Sequence, residues 1–401
     1  MIRIRFAAFC LTSALLAVAG CRSKLADYPP EYRAYAYVTN GGSDTVTVVD
    51  LLTFRAAHTI PVGKNPTGIA ANPAKNEVYA VNSGSDNVSV IDAETNRVVA
   101  TVGVHDRPYF IDVSADGARA YVANSGSGNV SVLDLGKHTV IATIPVGAAP
   151  GLARVSPDGK LVVVSLRDDA AAAILDAEKL AVRTKVALCS NPEEIGILPD
   201  SSKAFIACSG SNQVAAVDLK TGKLLALLDV GKTPIHLALK PDGGQLFVSN
   251  FDSDTVSDII TTTNEVGGSY LMGTNPVRGL VSADNTLLYV SNFGSDAVAL
   301  FSIDTGRLLT TVRVGSKPDA LAFMPRRPSE PDARQDKGDR EDYLLVVNTQ
   351  SGDLAVVKSR MVRDRRRETD VRTLSLLTLV PVGSRPSQIA VKNFMLREPP
   401  P

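Results

Sequence analysis

The chain has 401 residues, with 42 basic and 42 acidic side chains and a hydrophobic share of 44%, so it reads as a globular protein of zero formal charge. That balance excludes a globally basic nucleic-acid binder and an acidic solvating chain, both of which need a summed field of one sign. Tryptophan is absent and aromatics make up 5%, which excludes a stacking platform for single-stranded nucleic acid.

Met1 to Arg5 supply a positive start, and Phe6–Gly20 follow as an uncharged, mostly apolar run. A spanning helix needs ~20 apolar residues, so residues 1–20 are expected to be a cleaved export signal. Val18-Ala19-Gly20-Cys21 resembles a bacterial lipobox, with Val18 where Leu is commonest. The resemblance implies acylation of Cys21; the alternative is an ordinary secretory signal with an incidental cysteine. Residues 21–34 then read as a polar tether stiffened by Pro29-Pro30. The mature protein is expected to be lipid-anchored in a bacterial envelope, facing the periplasm and spanning no membrane.

A repeat governs the rest. The proline of the phrase VG-x-x-P recurs at Pro66, Pro108, Pro150, Pro192, Pro234, Pro276 and Pro318, always 42 residues apart, and Pro386 opens an eighth copy. A second phrase, Tyr37-Val38-Thr39-Asn40, returns in register with asparagines at 82, 124, 250 and 292, and displaced by fourteen at 348. Leu166 and Cys208 hold the asparagine register in two degenerate copies. Each copy alternates β-branched with small or polar residues between Gly, Asp and Pro turns, which predicts four short strands per repeat. Four strands in about 40 residues are one blade of a β-propeller. The expectation is a single all-β propeller over 35–394, with a tail at 395–401. Counting strands gives eight blades, seven being the alternative. Residues 36–62 supply three strands of one blade and Pro386–Phe394 the fourth, so both termini close the ring and no sheet edge is left open there.

These phrases resemble the YVTN-type, or YncE-like, β-propeller repeat family over about nine tenths of the chain. The resemblance implies an exported bacterial propeller, often of seven blades, with no agreed common activity. It marks blades and names no active site.

Strand order puts the d-to-a and b-to-c loops on one face, around a funnel. Residues two past each proline should ring its mouth: Gly68, Phe110, Leu152, Glu194, His236, Arg278, Ala320 and Gln388. Arg107, Tyr109, Glu193 and Asp319 lie beside them. Arg107, Tyr109, Glu193, Glu194, His236, Arg278, Asp319 and Gln388 therefore form the candidate ligand-binding set, suited to an anionic or zwitterionic ligand; a mouth that is polar because water fills it is the alternative. Further in, Asp112 and Arg154 interrupt a series of small residues and are expected to form a structural ion pair near the axis.

Cys189 and Cys208 are the only cysteines beyond Cys21. Both are expected on the funnel face of one blade, where an oxidising compartment permits a disulfide. No metal or cofactor is expected: the four histidines are scattered, and no haem, zinc, phosphate-loop or nucleophile-elbow motif occurs. Asp44, Asp86 and Asp296 are expected to cap their own loops. The last full blade is longer by 26 residues, within Pro325–Asp342 and Lys358–Arg372, both read as charged loops opposite the funnel. The second carries seven basic and three acidic residues.

The function that fits is a membrane-tethered, monomeric binding or scaffolding module without catalysis, taking an envelope protein or a small anionic ligand as partner and no nucleic acid. One alternative is a lactonase-like hydrolase using Glu194, His236 and Arg278 at the funnel. A second is an accessory subunit of a periplasmic oxidoreductase.

Overall fold

The computed structural model describes residues 28–325, 341–364 and 369–396. The expected export signal, Cys21, most of the expected tether, most of the first insertion and the tail beyond 396 lie outside them. The described residues form eight four-stranded antiparallel sheets. In blade 3 the strands are Pro108–Val113 (a), Arg119–Asn124 (b), Asn129–Asp134 (c) and Thr139–Pro145 (d). Strand a lies nearest the axis and d at the rim.

Burial along each strand shows why these residues take these places. Strand b of blade 2, EVYAVN, is buried after its first residue, whereas strand d, RVVATVG, alternates exposed and covered positions. The middle strands b and c are packed on both faces by neighbouring blades and so carry mainly apolar or small side chains. Outer strands keep one face in water and retain a period of two. The core lies in the seams between sheets. One cluster joins Tyr79, Val81 and Val88 of blade 2 to Ile111, Val122 and Leu133 of blade 3. Another joins Phe205 and Val214 of blade 5 to Leu237 and Val248 of blade 6.

Blade 1 is composite: Pro386–Met395 is its strand a, beside Tyr32–Asn40, Thr45–Asp50 and Arg55–Pro61. Pairing begins at Tyr32↔Met395 and Arg33↔Phe394. Residues 32–34, read from sequence as tether, therefore belong to the sheet, as does Met395, read as tail. The apolar character of Tyr32 and Ala34, both nearly fully buried, is what draws them in. Lys392 fastens this closing strand to the next blade by donating to the Asn72 carbonyl at 2.6 Å.

Three further expectations are corrected. Asp44, Asp86 and Asp296 do not cap their own loops; each accepts from a backbone N–H 21 residues on, at Asn65, Arg107 and Lys317. Those acceptors hold the residue before the next proline, which adopts a left-handed φ, +48° at Asn65 and +50° at Arg107. The cap thus joins blade to blade. Cys189 and Cys208 form a disulfide with Cα atoms 5.7 Å apart, and it crosses a seam instead of staying in one blade. Cys189 follows strand d of blade 4 (Ala181–Ala187), and Cys208 ends strand b of blade 5 (Lys203–Cys208). Finally, Lys358–Arg372 is not simply a loop. Strand c of blade 8 runs Asp353–Asp364 and strand d Thr369–Pro381, paired from Asp353↔Pro381 to Asp364↔Thr369. The insertion prolongs the hairpin because its backbone groups pair across it, leaving fewer polar groups to water.

Candidate functional site

The mouth of the funnel is organised by one carboxylate. Glu194, on strand a of blade 5 (Pro192–Ile197), is 6% exposed. Arg154 Nη2 of blade 4 donates to its Oε1 at 2.8 Å, and Arg278 Nη1 of blade 7 to its Oε2 at 3.2 Å. The second bond skips blade 6, joining blade 5 to blade 7. Arg278 Nε also donates to Asp319 Oδ1 of blade 8 at 3.2 Å. Asp112 of blade 3 lies 3.9 Å from Arg154 and accepts more closely from the Val155 N–H, at 2.9 Å. The expected Asp112–Arg154 pair is thus the long end of a chain of alternating charges, and the nearer partner of Arg154 is Glu194.

Burial alone would raise the Glu194 carboxyl, but Arg154, His236 and Arg278 outweigh it and hold the group at about 2. Burial pushes Asp112 up, against the pull of Arg154. His236 is driven down to about 3 by burial, with both guanidiniums adding to the effect against Glu194. Its Nδ1 accepts the Gly279 N–H at 3.1 Å, so the neutral ring carries its proton on Nε2. At neutral pH the site therefore holds an ionised Glu194 and an uncharged His236.

A second charged pair stands nearer solvent. Arg167 Nε donates to Glu193 Oε2 at 3.1 Å, and its guanidinium lies 4.9 Å from the Tyr109 ring centre. Asn191 Nδ2 donates to Glu193 Oε1 at 3.0 Å. Arg154 repeats the arrangement one layer deeper, 4.4 Å from the Phe110 ring centre. Each arginine thus has an aromatic face and a carboxylate, a geometry that fixes the planar fork in place.

The cavity at the mouth measures about 80 Å³ and is lined by Tyr109, Arg167, Glu193, Glu194, Arg278 and Gln388, among others. His236, Asp319 and Arg107 do not line it. Arg107 stands outside, in an open groove with Ser125 and Gly126, and Gln388 is held by its N–H donating to Thr39 Oγ1 at 3.1 Å. Sequence reasoning missed Arg167, Thr67 and Ile235. Arg167 was open to detection, being the one basic residue at the start of a b-to-c turn, where other copies carry Ser83, Ser125 and Ser209. Thr67 is generic in sequence and enters the lining only because its hydroxyl donates to the Tyr109 carbonyl at 3.0 Å.

The model of the YNCE-like beta-propeller matches residues 2–120 and 113–324. The chain belongs to that family. The match takes in strand a of blade 8 (Pro318–Phe323) and stops there, leaving the other three strands of that blade and the closing strand Pro386–Met395 beyond it. No curated protein matches this YNCE-like propeller. Among solved structures it is similar to Kuenenia stuttgartiensis hydrazine synthase, 21% identical over 69% of this chain and 92% of that one, TM-score 0.55. It is similar to the dihydro-heme d1 dehydrogenase NirN in complex with DHE, 17% identical over 91% and 76%, TM-score 0.63. A functionally unknown protein from Desulfotomaculum acetoxidans DSM 771 is 16% identical over 69% and 95%, TM-score 0.56. At these identities the likeness is one of fold.

Proposed function

We propose that this YNCE-like propeller is exported, tethered to a membrane through Cys21, and works as a binding or scaffolding module with no catalysis of its own. The observation that carries the reading is the clamp of Arg154 and Arg278 on buried Glu194, which fills the channel mouth with satisfied ion pairs. Only about 80 Å³ remains, well under the ~300–1,000 Å³ of ordinary small-molecule pockets. Recognition then takes place across the rim, where Tyr109 is 41% exposed above the Arg167–Glu193 pair. A plain anion would have to displace a carboxylate from an arginine. A zwitterion, or a protein loop bearing both signs, can meet both partners at once.

The hydrolase alternative needs a general base with a pKa near the working pH. His236 at about 3 and Glu194 at about 2 are both poor proton acceptors there, and the imidazole faces a backbone amide. One fold neighbour is a dehydrogenase by name, which favours the accessory oxidoreductase reading as a second choice. A photo-crosslinking residue at Tyr109 in the tethered protein tests the module reading. The expected result is one discrete protein adduct that is lost with Arg167→Ala and absent when the probe stands at Val99 on the rim of blade 2. Lactone turnover by the purified protein, abolished by Glu194→Gln, would overturn it.

A further inference from the structure

A second cavity lies away from the funnel, at the seam of blades 1 and 8. It measures about 330 Å³, inside the ~300–1,000 Å³ range of small-molecule sites that the mouth falls short of. Thr53 and Phe54 end the c-to-d turn of blade 1, and Arg55 opens strand d (Arg55–Pro61). Blade 8 supplies Tyr343 of strand b (Glu341–Asn348), Lys358 opposite it on strand c, and Leu377 with Thr378 on strand d. The rings of Phe54 and Tyr343 have centres 5.6 Å apart, tilted by 45°. Leu377 is the extra residue of a bulge between Leu376 and Thr378 and stays 44% exposed. Phe54 adopts a left-handed φ of +51°, where the same turn carries Asn96, Gly222, Asn264 and Gly306 in blades 2, 5, 6 and 7. A bulky side chain is strained in that region, and such strain collects where ligands are gripped. The lining includes Arg55 and Lys358 and no carboxylate. Lys358 has an interaction of its own. Arg55 is exposed and makes no ion pair or side-chain hydrogen bond among the described residues. At the mouth, by contrast, Arg154, Arg167 and Arg278 each hold a carboxylate.

We propose that this seam cavity binds a small aromatic carboxylate, with its ring against Phe54, Tyr343 and Leu377 and its carboxylate on Arg55. The aromatic walls suit a planar apolar body. The guanidinium fork can meet both oxygens of a carboxylate, which an alcohol cannot match and an ammonium would be repelled by. Thr53 and Thr378 add hydroxyl groups to the same lining. At ~30 Å³ for each water-sized unit, the space takes roughly ten non-hydrogen atoms, about the size of phenylpropanoate. The site needs neither acylation of Cys21 nor any contact at the mouth.

The chain has no tryptophan, so Phe54→Trp in the cavity and Tyr109→Trp at the mouth each give a single emitter. Phenylpropanoate should change the Phe54→Trp emission saturably and leave the Tyr109→Trp emission unaltered. Because Phe54→Trp alters a wall of the site, binding to the wild type is read separately, by saturation-transfer NMR on the ligand. Affinity should fall about tenfold for phenylpropanol, and by as much for phenylpropanoate on Arg55→Gln. Arg55→Lys, which keeps the charge, should restore most of that loss, and phenylpropylammonium should show no binding. The urea midpoint of Arg55→Gln should match the wild type, since Arg55 holds no partner in the fold. Equal affinity for the acid and the alcohol, or undiminished affinity in Arg55→Gln, would overturn the proposal. A response at the mouth reporter alone, or no saturable binding to the wild type, would overturn it as well.

Discussion

Asn124 shows what the repeated asparagine does. Its Nδ2 donates to Asn129 Oδ1 at 2.7 Å and to Ser131 Oγ at 2.9 Å, tying the end of strand b to strand c. Asn40, Asn82 and Asn250 make the same pair of bonds. The residue is buried, so Asn124→Ala leaves two partners unmet and should cost about 1–3 kcal/mol in urea unfolding. The asparagine also packs under the VG glycine that enters its blade: a Cβ on Gly63 would meet Asn82 Cβ at 2.7 Å. Cys189 and Cys208 occupy that glycine–asparagine pair of registers, and a covalent bond takes the place of the close contact. Glu194→Gln should destabilise the fold toward the low end of the ~3–5 kcal/mol typical of a broken buried pair. Arg154 and Arg278 retain 30% and 25% side-chain exposure, which softens the loss. Acid should act through the same site. Unfolded His236 takes up a proton below 6.5 but the folded residue only near 3, and Glu194 does so from 4.5 against about 2. The unfolded chain therefore binds more protons in these windows, and stability falls as pH drops. Of these two groups only His236 contributes between pH 6.5 and 4.5, so His236→Asn should reduce the pH dependence of the urea midpoint there.

Among the elements, the four short strands of each repeat were legible in sequence, because turns and period-two patterning are local. The eighth blade escaped. A run such as Lys358–Arg372, rich in Arg and Asp, carries no apolar alternation, and its strand state comes from cross-hairpin pairing that composition does not encode. The disulfide was similarly half legible: the two cysteines were paired by exclusion, yet their seam-crossing role depends on where one sheet's last strand passes the next sheet. It closes a span of 19 residues, which corresponds to about 3 kcal/mol in the chain-entropy account. Reductant should lower the melting temperature of the wild type and leave Cys189→Ser unaffected.

For the whole molecule, ring closure is the property on which the rest depends. Strand Pro386–Met395 completes blade 1 by pairing with Tyr32–Asn40 and covering the edge that strand would otherwise present. A chain stopped at Arg385 should lose its cooperative transition and associate, visible by circular dichroism and size-exclusion chromatography.

The sequence by itself determined the propeller, its eight blades and its composite closure, since each follows from a period that recurs in register. Tertiary structure alone decided which charges meet. Glu194 and Arg278 are 84 positions apart and touch only because the ring bends two blades toward a common axis. Whether a polar residue there faces water, a ligand or an opposite charge depends on that curvature, and no local pattern records it.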